Sequence, residues 1–215
     1  MTTAGELPQR VLILGLGFAG RALALHLRSL GVAVAGTVRD PATAHGDGIA
    51  RHRLHPDHAP DTALLEAIAR ADAVLCSVPP DAEGDPALRR LGPALQASPA
   101  LRWVGYLSST GVYGDRGGGW VDAHSDADAR DPVALRRLLA ETQWRALADA
   151  RGIASATLRL PGLYGRGRNA LVRLAQGNAR HVVRPGLVFN RLHVDDLAEA
   201  VVAAMRRPVR DALYL

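Results

Sequence analysis

Short, almost wholly apolar runs alternate along this chain with segments in which apolar residues recur every three or four positions. Residues 11–14 form the first apolar run, and it ends in glycines. Strands that are buried on both faces of a parallel sheet have this continuous apolar character. The same pattern predicts further strands at 32–38, 73–78, 101–107 and 154–160, and the start of another at 211–215.

Helical spacing predicts helices between these strands. The first covers 19–30 and stops at Gly31, because glycine commonly ends a helix. Residues 114–131 are rich in Gly and Asp and predict a surface loop. Strands that alternate with helices favour a doubly wound parallel sheet, the three-layer α/β/α Rossmann fold. The remaining helices are predicted at 62–70, 86–97, 133–150, 171–176 and 194–205.

A G-x-G-x-x-G segment joins the first strand to the first helix. Its glycines are Gly15, Gly17 and Gly20, with Phe18 and Ala19 before the last of them. In such loops the first glycine allows a tight turn, the second lets a pyrophosphate approach the backbone, and the third lets the helix pack closely. The helix N-terminus then faces the phosphates. We therefore predict that these five residues bind NAD or NADP, with a purely structural glycine turn as the alternative.

The end of the second strand indicates which of the two cofactors is preferred. NAD sites carry an acid there that accepts the ribose hydroxyls, and NADP sites place an arginine near the 2′-phosphate. Thr37 or Val38 occupies the usual acid position, and Arg39 follows, whose planar fork matches a phosphate. The sequence therefore favours NADP. Asp40 keeps NAD as the alternative, and a solvated charge is the other interpretation of Arg39.

Length and composition fit one Rossmann domain covering 1–215. Apolar residues make up 48% of the 215 residues, and no run approaches the length of a membrane helix. The single cysteine, Cys76, cannot form an internal disulfide, and no signal peptide precedes the domain, which favours a cytoplasmic protein. All 26 basic residues are arginine, and they are scattered among acids with only 4% aromatics. This distribution argues against nucleic-acid binding.

Three downstream segments carry a family resemblance. Residues 107–114 read LSSTGVYG, 158–167 read LRLPGLYGRG and 191–198 read RLHVDDLA. Together, behind the glycine loop, they resemble the extended short-chain dehydrogenase/reductase family, which includes nucleotide-sugar epimerases and dehydratases. The resemblance implies an NAD(P)-binding Rossmann domain. Further residues predicted to bind the cofactor are Ser77, Val78, Pro79, Ser108, Arg137, Leu160 and Pro161.

The resemblance fails at the family's catalytic pair, a tyrosine and a lysine four residues apart. Glu141 matches the glutamate that follows this pair, which aligns Arg137 with the lysine and Val133 with the tyrosine. Valine has no proton to exchange, and the chain contains no lysine at all. The sequence therefore resembles atypical family members that keep the cofactor fold without the pair.

Other hydroxyl groups are candidates for the chemistry. Ser109 matches the family's substrate-polarising Ser/Thr position, with Thr110 as its neighbouring alternative and capping of the strand end as its structural interpretation. Tyr113 is the candidate replacement for the missing tyrosine, with packing beneath the loop as its alternative. The catalytic prediction therefore rests on Ser109 and Tyr113.

Remaining titratable residues predict no metal site. His52, His55 and His58 fall three apart, which we interpret as a solvated polar loop because a fourth ligand and an aligning helix are missing. His193 is interpreted as orienting a loop, and Asp195 as the N-cap or a first-turn acid of the last helix. Cys76 is expected to be a small buried residue.

Two functional hypotheses follow. The first is an NAD(P)-dependent oxidoreductase or epimerase-like enzyme that acts on a small molecule, either a nucleotide sugar or a carbonyl compound. The second is a cofactor-binding sensor or scaffold without turnover. In the family the C-terminal region builds much of the substrate pocket, and here we expect it to be short or truncated. A homodimer is expected only by analogy.

Overall fold

Nine strands and six helices are formed in the computed structural model, which describes residues 5–41, 46–180, 183, 185–186 and 188–215. The strands are β1 (Arg10–Leu14), β2 (Ala33–Val38), β3 (Ala50–Arg53), β4 (Ala73–Cys76), β5 (Trp103–Ser109), β6 (Ala154–Leu160), β7 (Gly162–Tyr164), β8 (Arg191–His193) and β9 (Ala212–Tyr214). The helices are α1 (Phe18–Ser29), α2 (Thr62–Arg70), α3 (Pro86–Ala97), α4 (Pro132–Arg151), α5 (Ala170–Ala175) and α6 (Val194–Arg206), with a 3₁₀ helix at Thr110–Tyr113.

Seven of these strands form one parallel sheet in the order β3-β2-β1-β4-β5-β6-β9, and β7 and β8 pair in a small parallel sheet. The chain winds outward from β1 to β3 and then crosses to the other side of β1. The strand order therefore reverses between β1 and β4. In doubly wound sheets, ligands bind outside the carboxyl ends of the strands at this switch point.

Successive residues of the central strands point into two different apolar layers. Val11 and Ile13 pack with α1 and α6, whereas Leu12 and Leu14 pack with α2, α3 and α4. A strand with helices on both faces has no polar side, which explains why β1 reads as a continuous apolar run. The doubly wound α/β/α fold predicted from the sequence is confirmed.

Capping residues define several helix ends. The side chains of Asp61, Asp85 and Asp131 accept backbone N–H groups at the starts of α2, α3 and α4. A proline follows the cap in α3 and α4, where its missing N–H has no helical partner to lose. α4 ends at Gly152, whose φ of 64° is left-handed.

The predicted helices and the interior strands of the main sheet agree well with the structure, whereas the edge strand β3 and the small sheet were not predicted. Helices 62–70 and 86–97 and strand 154–160 have the predicted limits, and 114–131 contains neither helix nor strand. The prediction for the fifth strand, 101–107, was wrong by two residues at each end. The short strands β3, β7 and β8 were missed because none of them is an apolar run.

One smaller prediction is corrected. His52 lies in β3 rather than in a polar loop, and this strand is recognisable only through its pairing with β2. Of the two roles predicted for Asp195, the structure has the first-turn acid of α6, and His193 is the N-cap, whose Nδ1 accepts the N–H of Asp195. No helix in the described part of the chain is both long enough and apolar enough to cross a membrane.

Candidate functional site

An open cleft of about 940 Å³ lies along the carboxyl ends of the central strands. This volume is near the upper end of the roughly 300–1,000 Å³ range of small-molecule sites. Its walls come from the β1–α1 loop and from the ends of β2, β4, β5 and β6, with a contribution from α3. The cleft therefore occupies the switch point of the sheet.

The glycine loop shows a physical reason for each of its three glycines. Gly15 has a left-handed φ of 92°. A Cβ on Gly20 would lie 2.2 Å from the carbonyl oxygen of Gly15, so any side chain there would separate helix from loop. A Cβ on Gly17 would meet no described atom within 4 Å, since this position faces the open cleft. The loop is thus tight at two glycines and open at the third.

Two hydroxyl side chains hold the loop in place. Thr37 is buried at the end of β2, and its Oγ1 accepts the N–H of Gly15 at 2.9 Å. Ser77 follows β4 and donates its hydroxyl to the carbonyl oxygen of Gly15 at 2.6 Å. Sequence reasoning had missed the contribution of Thr37. A polar residue inside an otherwise apolar strand was the signal that could have indicated it.

Helix α1 begins at the cleft without a side-chain cap. Its N-cap is Gly17, which has no side-chain oxygen to accept the N–H groups of the first turn. Those groups have no intrahelical acceptor and carry the positive end of the helix dipole. An open glycine, uncapped N–H groups and a positive dipole fit a bound diphosphate. The residues present therefore fit the dinucleotide that the sequence predicted.

Basic side chains dominate the charge of the cleft. Arg39 is exposed just after β2 and lines it, together with His55 and Arg90, whereas Asp40 is not among the lining residues. Asp81 is the acid of the described lining. Arg89 donates two hydrogen bonds to Asp81, at 2.8 and 2.5 Å, and these lower the pKa of Asp81. The two opposite charges are therefore paired with each other.

Nearly all of the residues predicted to bind the cofactor meet in this cleft. Gly20 is the exception, because it lies beneath the loop, where it allows α1 to pack. The predicted residues that do line the cleft are Gly15, Gly17, Phe18, Ala19, Arg39, Ser77, Val78, Pro79, Ser108, Arg137, Leu160 and Pro161.

Arg137, at the position aligned with the family's lysine, is tied to strand β5. Its Nη1 donates to the carbonyl oxygen of Leu107 at 2.9 Å and to the hydroxyl of Tyr106 at 3.3 Å. Burial raises the pKa of Tyr106, a change that the nearby Arg137 opposes. The Arg137 guanidinium is therefore a fixed positive charge in the wall of the cleft. It cannot act as a proton donor near neutral pH.

A buried ionic cluster lies behind this wall. Ser108 donates its hydroxyl to Oε1 of Glu141 at 2.5 Å. Arg159 donates from Nε and Nη2 to the two carboxylate oxygens of Glu141, at 3.1 and 2.9 Å. All three side chains are buried. Glu141, which the resemblance aligned with a family residue, thus holds β5, β6 and α4 together.

The two predicted catalytic residues separate in the structure. Ser109 lines the cleft, and its Oγ accepts the N–H of Gly111 at 3.2 Å. Tyr113 is only 1% exposed and is not among the lining residues. Its hydroxyl donates to the carbonyl oxygen of Asp122 at 2.9 Å, and its ring packs under the guanidinium of Arg159. The geometry corrects the catalytic prediction for Tyr113, because its hydroxyl is engaged beneath the 114–131 loop.

Other candidate groups have structural surroundings. Val133, aligned with the family's tyrosine, is 65% exposed in the first turn of α4 and does not line the cleft. Cys76 is fully buried, which raises its pKa, and its thiol donates to Asp85 at 3.1 Å. Among the described residues no three His, Cys, Asp or Glu side chains form a metal-binding group. The Nδ1 atoms of His55 and His58 lie 3.3 Å apart, and a carboxylate oxygen of Asp57 lies 3.5 Å from the Nδ1 of His55.

Comparison of the sequence with known proteins identifies a family. The model of the NAD dependent epimerase/dehydratase family matches residues 89–213. Protein YeeZ of Escherichia coli strain K12 is 30% identical over an alignment 219 residues long, which covers 96% of this chain and 76% of that protein.

Solved structures extend the comparison. A conserved protein of unknown function from Silicibacter pomeroyi DSS is 35% identical, with a TM-score of 0.83, over 96% of this chain and 71% of that one. The UDP-glucose 4-epimerase of Thermus thermophilus, solved in complex with NAD, has a TM-score of 0.70 and 17% identity over 95% of this chain and 76% of its own. The second match shows the fold alone. With its glycine loop, its switch-point cleft and the matched region, the chain belongs to the NAD dependent epimerase/dehydratase family.

Proposed function

We propose that this protein binds NADP(H) in the cleft and is an oxidoreductase or nucleotide-sugar-modifying enzyme that acts on a small molecule. The observation that carries the proposal is the open position at Gly17 beside the uncapped start of α1. A backbone surface with N–H groups and no side chains binds phosphate oxygens. The known dinucleotide chemistry of the family agrees with this use of the cleft.

Selection of NADP over NAD rests on the end of β2. Thr37 is buried, its Oγ1 accepts the N–H of Gly15, and it has no carboxylate to accept two ribose hydroxyls. Arg39 follows it, is exposed and lines the cleft. A guanidinium at this position pairs with a 2′-phosphate through two parallel hydrogen bonds and has no such partner in NAD.

Ser109 is the group best suited to polarise a substrate carbonyl. A serine hydroxyl has one proton to donate and two lone pairs, and one lone pair already accepts the N–H of Gly111. Within the described part of the chain no acceptor takes the Ser109 proton, so it can be donated to a carbonyl oxygen. The bound cofactor would supply or accept the hydride. Ser109 would orient the carbonyl for that transfer, and Arg137 would supply a fixed positive charge.

Binding without turnover is the second candidate function, and a specific observation favours it. Of the described residues lining the cleft, only His55 and Asp81 carry an imidazole or a carboxyl group. Asp81 is paired with Arg89, and His55 follows β3, which β2 and β1 separate from β4. A site with no proton donor beside Ser109 could hold its cofactor and serve as a sensor or scaffold.

Titration of the purified protein with NADPH and NADH, followed by nucleotide fluorescence, tests the proposal. We expect saturable binding of both nucleotides, tighter for NADPH. A screen of carbonyl compounds and nucleotide sugars then separates the two candidates. Turnover that Ser109→Ala reduces, with NADPH affinity unchanged, supports the enzyme. Tight binding without turnover favours the sensor, and the absence of binding to either nucleotide rejects both.

A further inference from the structure

A tight turn after β7 fixes the backbone of an arginine that the sequence motifs did not single out. Gly165 and Arg168 exchange two backbone hydrogen bonds, each 3.0 Å long. The amide of Asn169 donates to the carbonyl oxygen of Gly165 at 3.0 Å, and its Oδ1 caps α5. The main chain of Arg168 is therefore held in place although its side chain is exposed.

This turn lies directly against the start of α1. A Cβ on Gly165 would lie 3.3 Å from the ring of Phe18 and 2.8 Å from a methyl of Val194, so only glycine lets the turn approach this closely. The guanidinium carbon of Arg168 lies 5.2 Å from the ring centroid of Phe18, in a cation–π contact. Phe18 is the first residue of α1, next to the open position at Gly17.

Arg168 also keeps its charge available. Within the described residues no carboxylate forms an ion pair with it, in contrast to Arg89, whose charge is engaged by Asp81. An aromatic ring orients a guanidinium without neutralising it. The side chain lines the cleft together with the glycine loop. A positioned cation next to uncapped helix N–H groups is suited to an anionic group with several oxygens.

We infer that Arg168 is a ligand for the diphosphate of the dinucleotide, an inference that rests on the proposed cofactor function. Arg168 and the N–H groups of α1 bind the diphosphate, whereas Arg39 binds the 2′-phosphate. Two arginines from different parts of the chain thus recognise two different phosphates of one molecule. Gly165 and Phe18 are the positioning residues that keep Arg168 beside the loop.

Binding of cofactor fragments, measured by calorimetry, separates the two arginines. ADP-ribose carries the diphosphate without nicotinamide, and adenosine 2′-monophosphate carries the other phosphate without a diphosphate. We expect Arg168→Gln to weaken ADP-ribose and NADPH by about 10- to 100-fold and to leave adenosine 2′-monophosphate unchanged. Arg39→Gln should weaken adenosine 2′-monophosphate and NADPH and leave ADP-ribose unchanged.

Arg166→Gln is the matched control, because Arg166 is exposed in the same turn and does not line the cleft. We expect it to bind all three ligands as the unaltered protein does. Wild-type affinity of Arg168→Gln for ADP-ribose would overturn the inference and leave the proposed function standing, with the phosphate of a substrate as the remaining role. Equal losses for both fragments would also overturn it. If the unaltered protein binds neither NADPH nor NADH, the proposed function itself fails.

Discussion

The two halves of the cleft use their polar groups differently. In the glycine-loop half, which comprises residues 15–20 and Arg39, the helix N–H groups and the guanidinium have no partner that the described structure supplies. In the α4 half, which comprises Ser108 and Arg137 in the cleft wall and Glu141 behind it, each side chain is hydrogen-bonded within the protein. The first half is prepared for a ligand, and the second is largely satisfied without one.

This difference shows which part of the cleft leaves its polar groups available and which part uses them inside the protein. Arg137 retains a positive charge at the family's lysine position, but its Nη1 bonds to β5. Glu141 is retained as the centre of a buried ion pair. Residues of the α4 half are therefore expected to affect folding, and residues of the glycine-loop half to affect the cofactor.

Removal of Glu141 should have the largest effect on stability. Glu141→Ala leaves the buried Arg159 guanidinium without its carboxylate, and uncompensated buried charges cost about 3–5 kcal/mol of unfolding free energy. Chemical denaturation measures this loss. The double variant Glu141→Leu with Arg159→Met should lose less than Glu141→Ala, because no charge stays buried. Wild-type stability of the Glu141→Ala variant would contradict the structural role of Glu141.

The glycine loop offers a pair of variants that separate stability from binding. Gly20→Ala places a methyl against the backbone of Gly15. We expect the free energy of unfolding to fall by about 1–3 kcal/mol and NADPH binding to be lost. Gly17→Ala places the same methyl in the open cleft. It should change stability by less than about 1 kcal/mol but weaken NADPH by about 10-fold. Equal melting temperatures for the two variants would contradict this difference.

Arg39 tests the cofactor preference of the glycine-loop half. Arg39→Ala should weaken NADPH by about 10- to 100-fold, the value of a charged hydrogen-bonded contact, and should change NADH by much less. Stability should stay unchanged because the side chain is exposed. Fluorescence titration with both nucleotides measures the ratio of the NADPH and NADH affinities. Equal effects on NADPH and NADH would show that Arg39 does not read the phosphate.

Val133 should give the smallest effect, although the family resemblance aligns it with the catalytic tyrosine. It is 65% exposed and lies outside the cleft lining, so Val133→Ala should change stability by less than about 0.5 kcal/mol. NADPH affinity and any turnover should be unaffected. A marked loss of NADPH affinity or of turnover would mean that Val133 contributes to the site.

The central sheet was predictable from sequence because its strands are buried on both faces. Such strands must be apolar throughout, so the run at 11–14 is visible without neighbours. Strand β3 reads Ala-Arg-His-Arg and lies at the edge of the sheet, where only pairing with β2 defines it. The conformation of the glycine loop was predictable for a related reason, since the constraints on its glycines follow from the residue type.

Side-chain partners were not predictable in the same way. Tyr113 has the residue type for catalysis, yet the neighbouring loop accepts its hydroxyl through the carbonyl of Asp122. Arg168 is one of 26 basic residues, and nothing in its local sequence places it against Phe18. Thr37 and Ser77 hold the glycine loop from two other strands, across 22 and 62 residues of chain.

The sequence by itself determined the doubly wound sheet and the glycine loop, and it shows Val133 and Arg137 at the positions that the resemblance aligns with the family's Tyr–Lys pair. Each of these depends on local pattern or on residue identity, which the chain displays directly. Only the tertiary structure decided which of the polar groups remain available to a ligand. Packing brings together residues such as Arg159 and Glu141, which are far apart in the sequence, and lets them form hydrogen bonds. It therefore decides which charged groups are paired inside the protein and which face the cleft.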